Sequence, residues 1–275
     1  MTVNYCIFNP TGNITALVET KVEPAKQPAV ADEIMKAHPQ VEQVGFVYFV
    51  PGRPVPALLR MAGGEFCGNA TMSAAALYLM RSGEETDQVR VTVSGVSKPI
   101  TVHLAKTEDE SYEAGVEMPP ALEIGIKKLH SEVADASMTV VRMEGISHIV
   151  IEDKSELYAL KEDKEAAEKL LKDWSECLDT ECLGIMFLEG DGASWSLTPL
   201  VYVRDVGTVF WENACASGTA AVGMYMAAKL ESAVDMTIDE PGGRLSVSSD
   251  PESGLTTLYG STKLELGDTI ETEGV

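Results

Sequence analysis

Basic residues are scarce. The 275-residue chain carries 21 Lys and Arg against 43 Asp and Glu, a formal net charge of −22. Nucleic-acid binding needs clustered cations facing phosphate, so this balance argues against a nucleic-acid partner. It argues equally against an anionic membrane surface. Cysteines are few and odd in number: Cys6, Cys67, Cys177, Cys182 and Cys215. Five in a chain this long do not make a disulfide framework, and a reducing cytoplasm is the expected compartment. No C-x-x-C pair occurs, and Cys177 and Cys182 have no His near them in sequence, so no metal site is expected. Long apolar runs are absent, which leaves no segment to span a membrane. The opening "MTVNYCIFNP" has neither the basic stretch nor the apolar core of a signal peptide. Neither G-x-G-x-x-G nor G-x-x-x-x-G-K-[ST] is found, and no pyridoxal signature is evident, so no cofactor is expected.

The chain is 45% hydrophobic and 23% charged, an ordinary globular composition. Most of it reads as short strands between turns. Strands are expected at 5–8, 14–19, 43–50, 57–61, 89–93, 100–104 and 115–118, with helices at 28–37 and 68–81. After "EMPP" the theme restarts. Strands are expected at 138–142, 148–151, 183–189, 197–203 and 208–211, with helices at 159–178 and 217–229. The last strands are expected at 234–238, 245–248, 256–259 and 264–266.

This is an internal repeat. In each half a strand leads into Glu, then Cys, then small residues, then an Ala-rich helix: "GGEFCGNATMSAAALYLM" from Gly63 and "WENACASGTAAVGMYMAAKL" from Trp211. Past each helix a strand ends in Gly, at Gly95 and at Gly242, at nearly the same separation from the cysteine. Two similar domains related by a pseudo-two-fold axis would bring the two helix starts together at their interface, where ligand sites are favoured. The expected division is 1–118, then 119–258, with 259–275 returning to the first domain as a terminal strand.

A thiol at a helix start has a chemical use. The first N–H groups of a helix have no intrahelical partner, and the dipole makes that end positive. An anion binds there without Arg or Lys. A cysteine in that field has its thiolate favoured, so the expectation is a lowered pKa. Small residues, Gly68-Asn69 and Ser217-Gly218, let a ligand approach the backbone. Two such helices facing each other would hold one carboxylate between two sets of N–H groups, with a cysteine on either side of the adjacent carbon. One thiolate would remove the α-proton and one thiol would deliver another from the opposite face. Without a cofactor, the carbanion must be stabilised by preorganised donors and exclusion of water.

The motifs "GGEFCGNATMS" and "WENACASGTA" resemble the two cysteine motifs of the diaminopimelate epimerase-like family of cofactor-independent amino-acid racemases and epimerases. The similarity is greatest to its bacterial histidine racemases. It continues in order through "NPTGNITALV", "EQVGFVYF", "VTVSG", "VEMP", "SHIVI" and "EPGGRLSV". The resemblance implies an α+β fold of two pseudo-symmetric domains, each a mixed or antiparallel sheet or barrel around a central helix, with the active site at their interface. It implies Cys67 and Cys215 as the acid/base pair. Gly68, Asn69, Ala216, Ser217 and Gly218 would cradle the α-carboxylate. Asn13 and Gln43 would fix the substrate, Glu42 would lie near its distal group and Glu212 near its α-amino group. A homodimer and a small amino-acid substrate are implied as well.

The departures from the family bear on substrate. Diaminopimelate epimerases carry Glu-Arg before the second cysteine motif, where this chain has Asp205-Val206 or nearby apolar residues. The family's Asn in Gly-Asn-Pro-His is Ile146 here, and a Gly of the second motif is Ala216. A second carboxylate therefore lacks its usual donors, and a neutral or cationic side chain such as imidazole, facing Glu42, is favoured. The alternatives are epimerisation of diaminopimelate or hydroxyproline, and a non-catalytic thiol switch or binding module. The plain reading of Cys6, Cys177 and Cys182 is core packing. His148 reads as structural.

Overall fold

A computed structural model describes residues 1–204 and 207–272. The chain divides into two compact units, Met1–Glu117 with the chain from Tyr259 on, and Met118–Leu258.

The first unit contains β1 (Thr2–Pro10), β2 (Thr15–Val18), α1 (Gln27–Ala37), β3 (Gln43–Phe49), β4 (Ala57–Met61), α2 (Gly68–Ser82), β5 (Gln88–Val93), β6 (Ile100–Lys106) and β7 (Tyr112–Glu117). These strands neighbour one another in chain order, β16 (Thr256–Glu271) follows β7, and β16 pairs back onto β1. The ring is therefore closed into an eight-stranded barrel. β2 runs parallel to β3, and β4 parallel to β5; the helices α1 and α2 make those two crossovers. Strand β5 shows how the sequence specifies its inner face: in "QVRVTV" Val89, Val91 and Val93 are buried and the residues between them are exposed.

Helix α2 fills the barrel and packs against β1 through β7. Every residue from Gly68 to Leu79 is buried. A helix enclosed on all sides needs small side chains, and Ala70, Ser73, Ala74, Ala75 and Ala76 supply them. It ends at Gly83, whose φ of +67° suits a glycine C-cap. Helix α1 covers the outside, where Val30, Ala31 and Ile34 pack with Val3, Tyr5, Ile7, Val44 and Phe46.

The second unit contains β8 (Glu123–Leu129), β9 (Ala136–Arg142), β10 (Ser147–Glu152), α3 (Lys164–Leu178), β11 (Cys182–Gly190), β12 (Trp195–Val203), β13 (Thr208–Trp211), α4 (Ala216–Leu230), β14 (Val234–Glu240) and β15 (Gly243–Ser249). The strand order is β15-β14-β12-β11-β10-β9-β8, with β13 beside β12. Again two crossovers are parallel, β10 to β11 through α3 and β12 to β14 through α4. β11 is buried on both faces. Leu183, Ile185 and Phe187 join Leu170, Leu171 and Trp174 of α3 in one cluster. The alternate side chain Met186 lies against Gly218 of α4.

Four sequence readings need correction. The helix expected at 159–178 starts at Lys164. Residues Glu156–Glu162 wind as a tighter 3-10 helix, and Asp163 then caps α3 by accepting the Ala166 N–H at 3.2 Å. Strand β8 was not anticipated, because "EIGIKKL" is largely exposed and lacks an apolar run. The strands expected at 256–259 and 264–266 are one continuous strand. Cys177 is exposed and not core, while Cys6 and Cys182 are buried. Among the described residues, no helix is long and apolar enough to cross a membrane.

Gly95, just past β5, has φ +77°, and a Cβ there would meet the Phe66 N at 2.5 Å and the Glu65 carbonyl carbon at 2.7 Å. Both atoms are backbone and cannot rotate away. Gly52 has a similar φ of +79° with open space around it. Gly52→Ala is expected to cost about 1 kcal/mol through the left-handed conformation alone. Gly95→Ala is expected to cost roughly 2 kcal/mol more, because the segment before Cys67 must move. Urea unfolding midpoints of the two variants test this, and equal midpoints would remove the packing argument.

Candidate active site

In the first unit Cys67 is the N-cap of α2. Its backbone is extended, φ −136° and ψ 113°, and its sulfur accepts the Ala70 N–H at 3.3 Å. Its carbonyl accepts both the N–H and the hydroxyl of Thr71, at 3.0 and 2.6 Å. The thiol donates to the side-chain carbonyl of Gln43, the first residue of β3. One residue earlier, Glu42 accepts from the Asn13 side-chain amide at 3.0 Å, and its own N–H reaches the Ile14 carbonyl. Asn13 is fully buried in the turn between β1 and β2. Asn13, Glu42, Gln43 and Cys67 thus form one contiguous set, with Gly68 and Asn69 in the buried first turn of α2.

In the second unit Cys215 is the N-cap of α4, with φ −119°, ψ 98° and a sulfur accepting the Gly218 N–H at 3.4 Å. Its carbonyl accepts the Thr219 N–H at 2.8 Å. The two cysteines therefore occupy the same capping position with nearly the same backbone. Only 7% of Cys67 and 4% of Cys215 is exposed. Ala216, Ser217 and Gly218 form the buried first turn of α4. A Cβ on Gly218 would meet the Met186 sulfur at 2.1 Å, so the residue keeps this turn closely packed.

The partners of the second sulfur differ from those of the first. The Cys215 thiol donates to Glu212. Its N–H donates to the Glu240 carboxylate at 2.7 Å, and the Thr219 hydroxyl donates to the same carboxylate. Burial, Glu212 and Glu240 together push the Cys215 thiol well above its ordinary range, and the Gly218 N–H lowers it by less. The lowered pKa expected from the helix start is thus overturned at Cys215. A helix-end field is a modest effect, while removing a thiolate from water beside two carboxylates is a large one.

Two residues beside Cys215 were given no functional role from sequence: Glu240 went unnoted and His148 was read as structural. Glu240, at the end of β14, takes an inward position after Met236 and Ile238, where the strand periodicity calls for an apolar side chain. That break in the pattern was the available signal. His148 of β10 is fully buried, and its Nε2 bonds the Ser217 hydroxyl at 3.0 Å. Gly184 across the strand pair makes room for it: a Cβ there would lie 2.4 Å from Nδ1. Ser217 in turn lies 3.7 Å from the Cys215 sulfur. Asp205 and Val206 lie outside the described residues.

The fold is shared with solved structures. A crystal structure of a probable proline racemase from Agrobacterium radiobacter matches with a TM-score of 0.67 at 11% identity, covering 98% of this chain and 93% of that one. Sequence relatives narrow the class. A histidine racemase from Fusobacterium nucleatum is 32% identical over 233 residues, 82% of this chain and 80% of that protein. A histidine racemase from Staphylococcus aureus is 32% identical over 254 residues, 90% and 88% of the two chains. Residues 2–265 match the profile of the histidine racemase CntK N-terminal domain, and the chain belongs to that family. It is an isomerase of the amino-acid racemase class.

Burial alone drives His148 down from 6.5 to about 3. Above about 6.5 neither the folded nor the unfolded chain protonates it, and its contribution is constant. Between 6.5 and 3 the unfolded chain takes up a proton that the folded chain refuses, so stability falls as pH drops. His148→Gln is expected to flatten the decline of unfolding free energy over that window. Urea titrations at a series of pH values measure it, and an unchanged slope would mean that His148 is not held neutral.

Proposed function

We propose that this enzyme interconverts the enantiomers of histidine without a cofactor, with Cys67 and Cys215 as opposed acid and base at Cα. The observation that carries the reading is the repeated cap: in each unit a buried cysteine starts a helix whose first turns are buried, and its sulfur accepts that helix's third N–H. Membership of the histidine racemase family supports the substrate.

On this reading the α-carboxylate binds to the backbone donors of the two first turns, at Gly68 and Asn69 and at Ala216, Ser217 and Gly218. One sulfur takes the α-proton from one face of the carbon. The second delivers a proton to the other face, and the roles exchange for the opposite enantiomer. The negative charge of the carbanionic state spreads onto the carboxylate, where the N–H groups already point and need not reorganise. Glu212, beside Cys215, would meet the α-ammonium. The Asn13–Glu42 pair adjoining Gln43 provides the acceptor for an imidazole N–H. Pseudo-two-fold pairing of the two units is part of the same proposal.

The experiment is exchange at Cα in deuterium oxide. Either enantiomer of histidine, with no cofactor added, is expected to gain one deuterium per inversion. Cys67→Ala and Cys215→Ala are each expected to lower the inversion rate by a factor of about 100 or more, the scale of lost acid–base catalysis. Retention of wild-type racemisation by both variants would end the two-base reading. Faster exchange on diaminopimelate than on histidine would end the substrate assignment.

A further inference from the structure

Strand β14 buries Met236, Ile238 and Glu240 in alternation, and the corresponding inward residues of β5 are Val89, Val91 and Val93. The position that is Val93 in the first unit is thus a carboxylate in the second. Burying an ionisable group costs several kcal/mol unless its hydrogen bonds are arranged for it. Here they are arranged around Cys215. One oxygen of Glu240 accepts that residue's N–H at 2.7 Å, and the other accepts the Thr219 hydroxyl one helical turn on.

We propose that Glu240 is a positioning residue for the racemase reaction: it fixes Cys215 at the start of α4 through the backbone N–H and, when ionised, opposes formation of the Cys215 thiolate. The proposal rests on the reading that Cys215 exchanges a proton with substrate.

The charges around Glu240 support it. Glu212, which accepts the Cys215 thiol proton, also raises Glu240, and burial carries Glu240 to about 8. Strand β12, packed beside β14, has no charged residue. On β15, Arg244 is exposed and bonds Asp239 at 2.7 Å. The only basic residue of α4, Lys229, lies at its far end and bonds Glu152. Once Glu240 is ionised, a thiolate at Cys215 would form a second buried negative charge beside it. Burial and the two neighbouring carboxylates thus favour the protonated form of Cys215.

The test is a pH titration of thiolate absorbance in the far ultraviolet, taken as the difference between each protein and its C215S counterpart. This reports Cys215 without requiring turnover. Cys215 ionises above the range in which Glu240 does, so Glu240 is charged when the thiol titrates, and removing that charge must lower the midpoint. Glu240→Gln keeps an acceptor for the N–H and is expected to lower the midpoint by about 1 pH unit or more, the scale of a neighbouring like charge. Glu240→Val, the residue of the first unit, removes charge and acceptor together. It is expected to lower the midpoint similarly and to lose more kcat than Glu240→Gln with little further change in KM. Should the Gln variant fail to fold, the Val variant decides alone. A midpoint unmoved or raised in the variant that folds overturns the proposal. Failure of the two-base reading would show instead as Cα exchange that survives loss of either cysteine, whatever the titration gives.

Discussion

The structure depends on how two enclosed helices begin. A helix end leaves N–H groups without partners, and a surface helix gives them to water. The first turns of α2 and α4 are buried, so water is not at hand and each cap must do more. In each, the cap is a sulfur, a weaker acceptor than the oxygen of Ser, Thr, Asn or Asp that usually serves. The weak bond is supported by a following threonine whose N–H reaches the cysteine carbonyl, Thr71 in one helix and Thr219 in the other. A stronger cap would stabilise the helix better and would leave no thiol at its mouth. The sulfur is the element of this arrangement that packing alone does not call for.

The two caps share geometry and differ in electrostatics. Cys67 gives its proton to a neutral amide, Gln43; Cys215 gives it to a carboxylate, Glu212, with a second carboxylate on its N–H. A racemase must act from both faces of a carbon whose two enantiomers differ only in handedness. On the proposed two-base reading, the carboxylates around Cys215 hold its thiol hard to ionise. His148 contributes a further asymmetry: held neutral by burial, it fixes the Ser217 hydroxyl without adding charge.

Much of this was legible in the chain. Alternation of Val89, Val91 and Val93 marked β5, and the Ala-rich stretches after Cys67 and Cys215 marked two helices to within a residue at their starts. Those helices are read easily because enclosure demands small side chains throughout, a constraint visible in composition. Strand β8 was not legible, because its place is set by pairing with β9 and its own residues are mostly solvated. The tight turns before α3 were hidden for a related reason: Leu157 and Leu160 continue the apolar spacing of the helix, and only Asp163 marks the break. The state of Cys215 was the largest misreading. Its helix end is a local feature of sequence, but the carboxylate that outweighs it, Glu240, arrives from a strand 25 residues away.

Backbone donors set a limit on what the two first turns can recognise. Every α-amino acid presents the same carboxylate, and on the proposed reading the N–H groups of the two first turns would hold it without sensing the side chain beyond. Discrimination between substrates must therefore come from side chains outside the caps. In the first unit, Asn13 holds Glu42 in place with a side-chain amide, and Glu42 is joined by one peptide bond to the residue that holds Cys67. A carboxylate fixed in that way suits a side chain that donates a proton and repels one that carries its own negative charge. On that reading the same short run of chain would serve both selectivity and the thiol. On the proposed mechanism, a change at Glu42 that altered substrate preference would pull on Gln43 as well and so link binding to proton transfer.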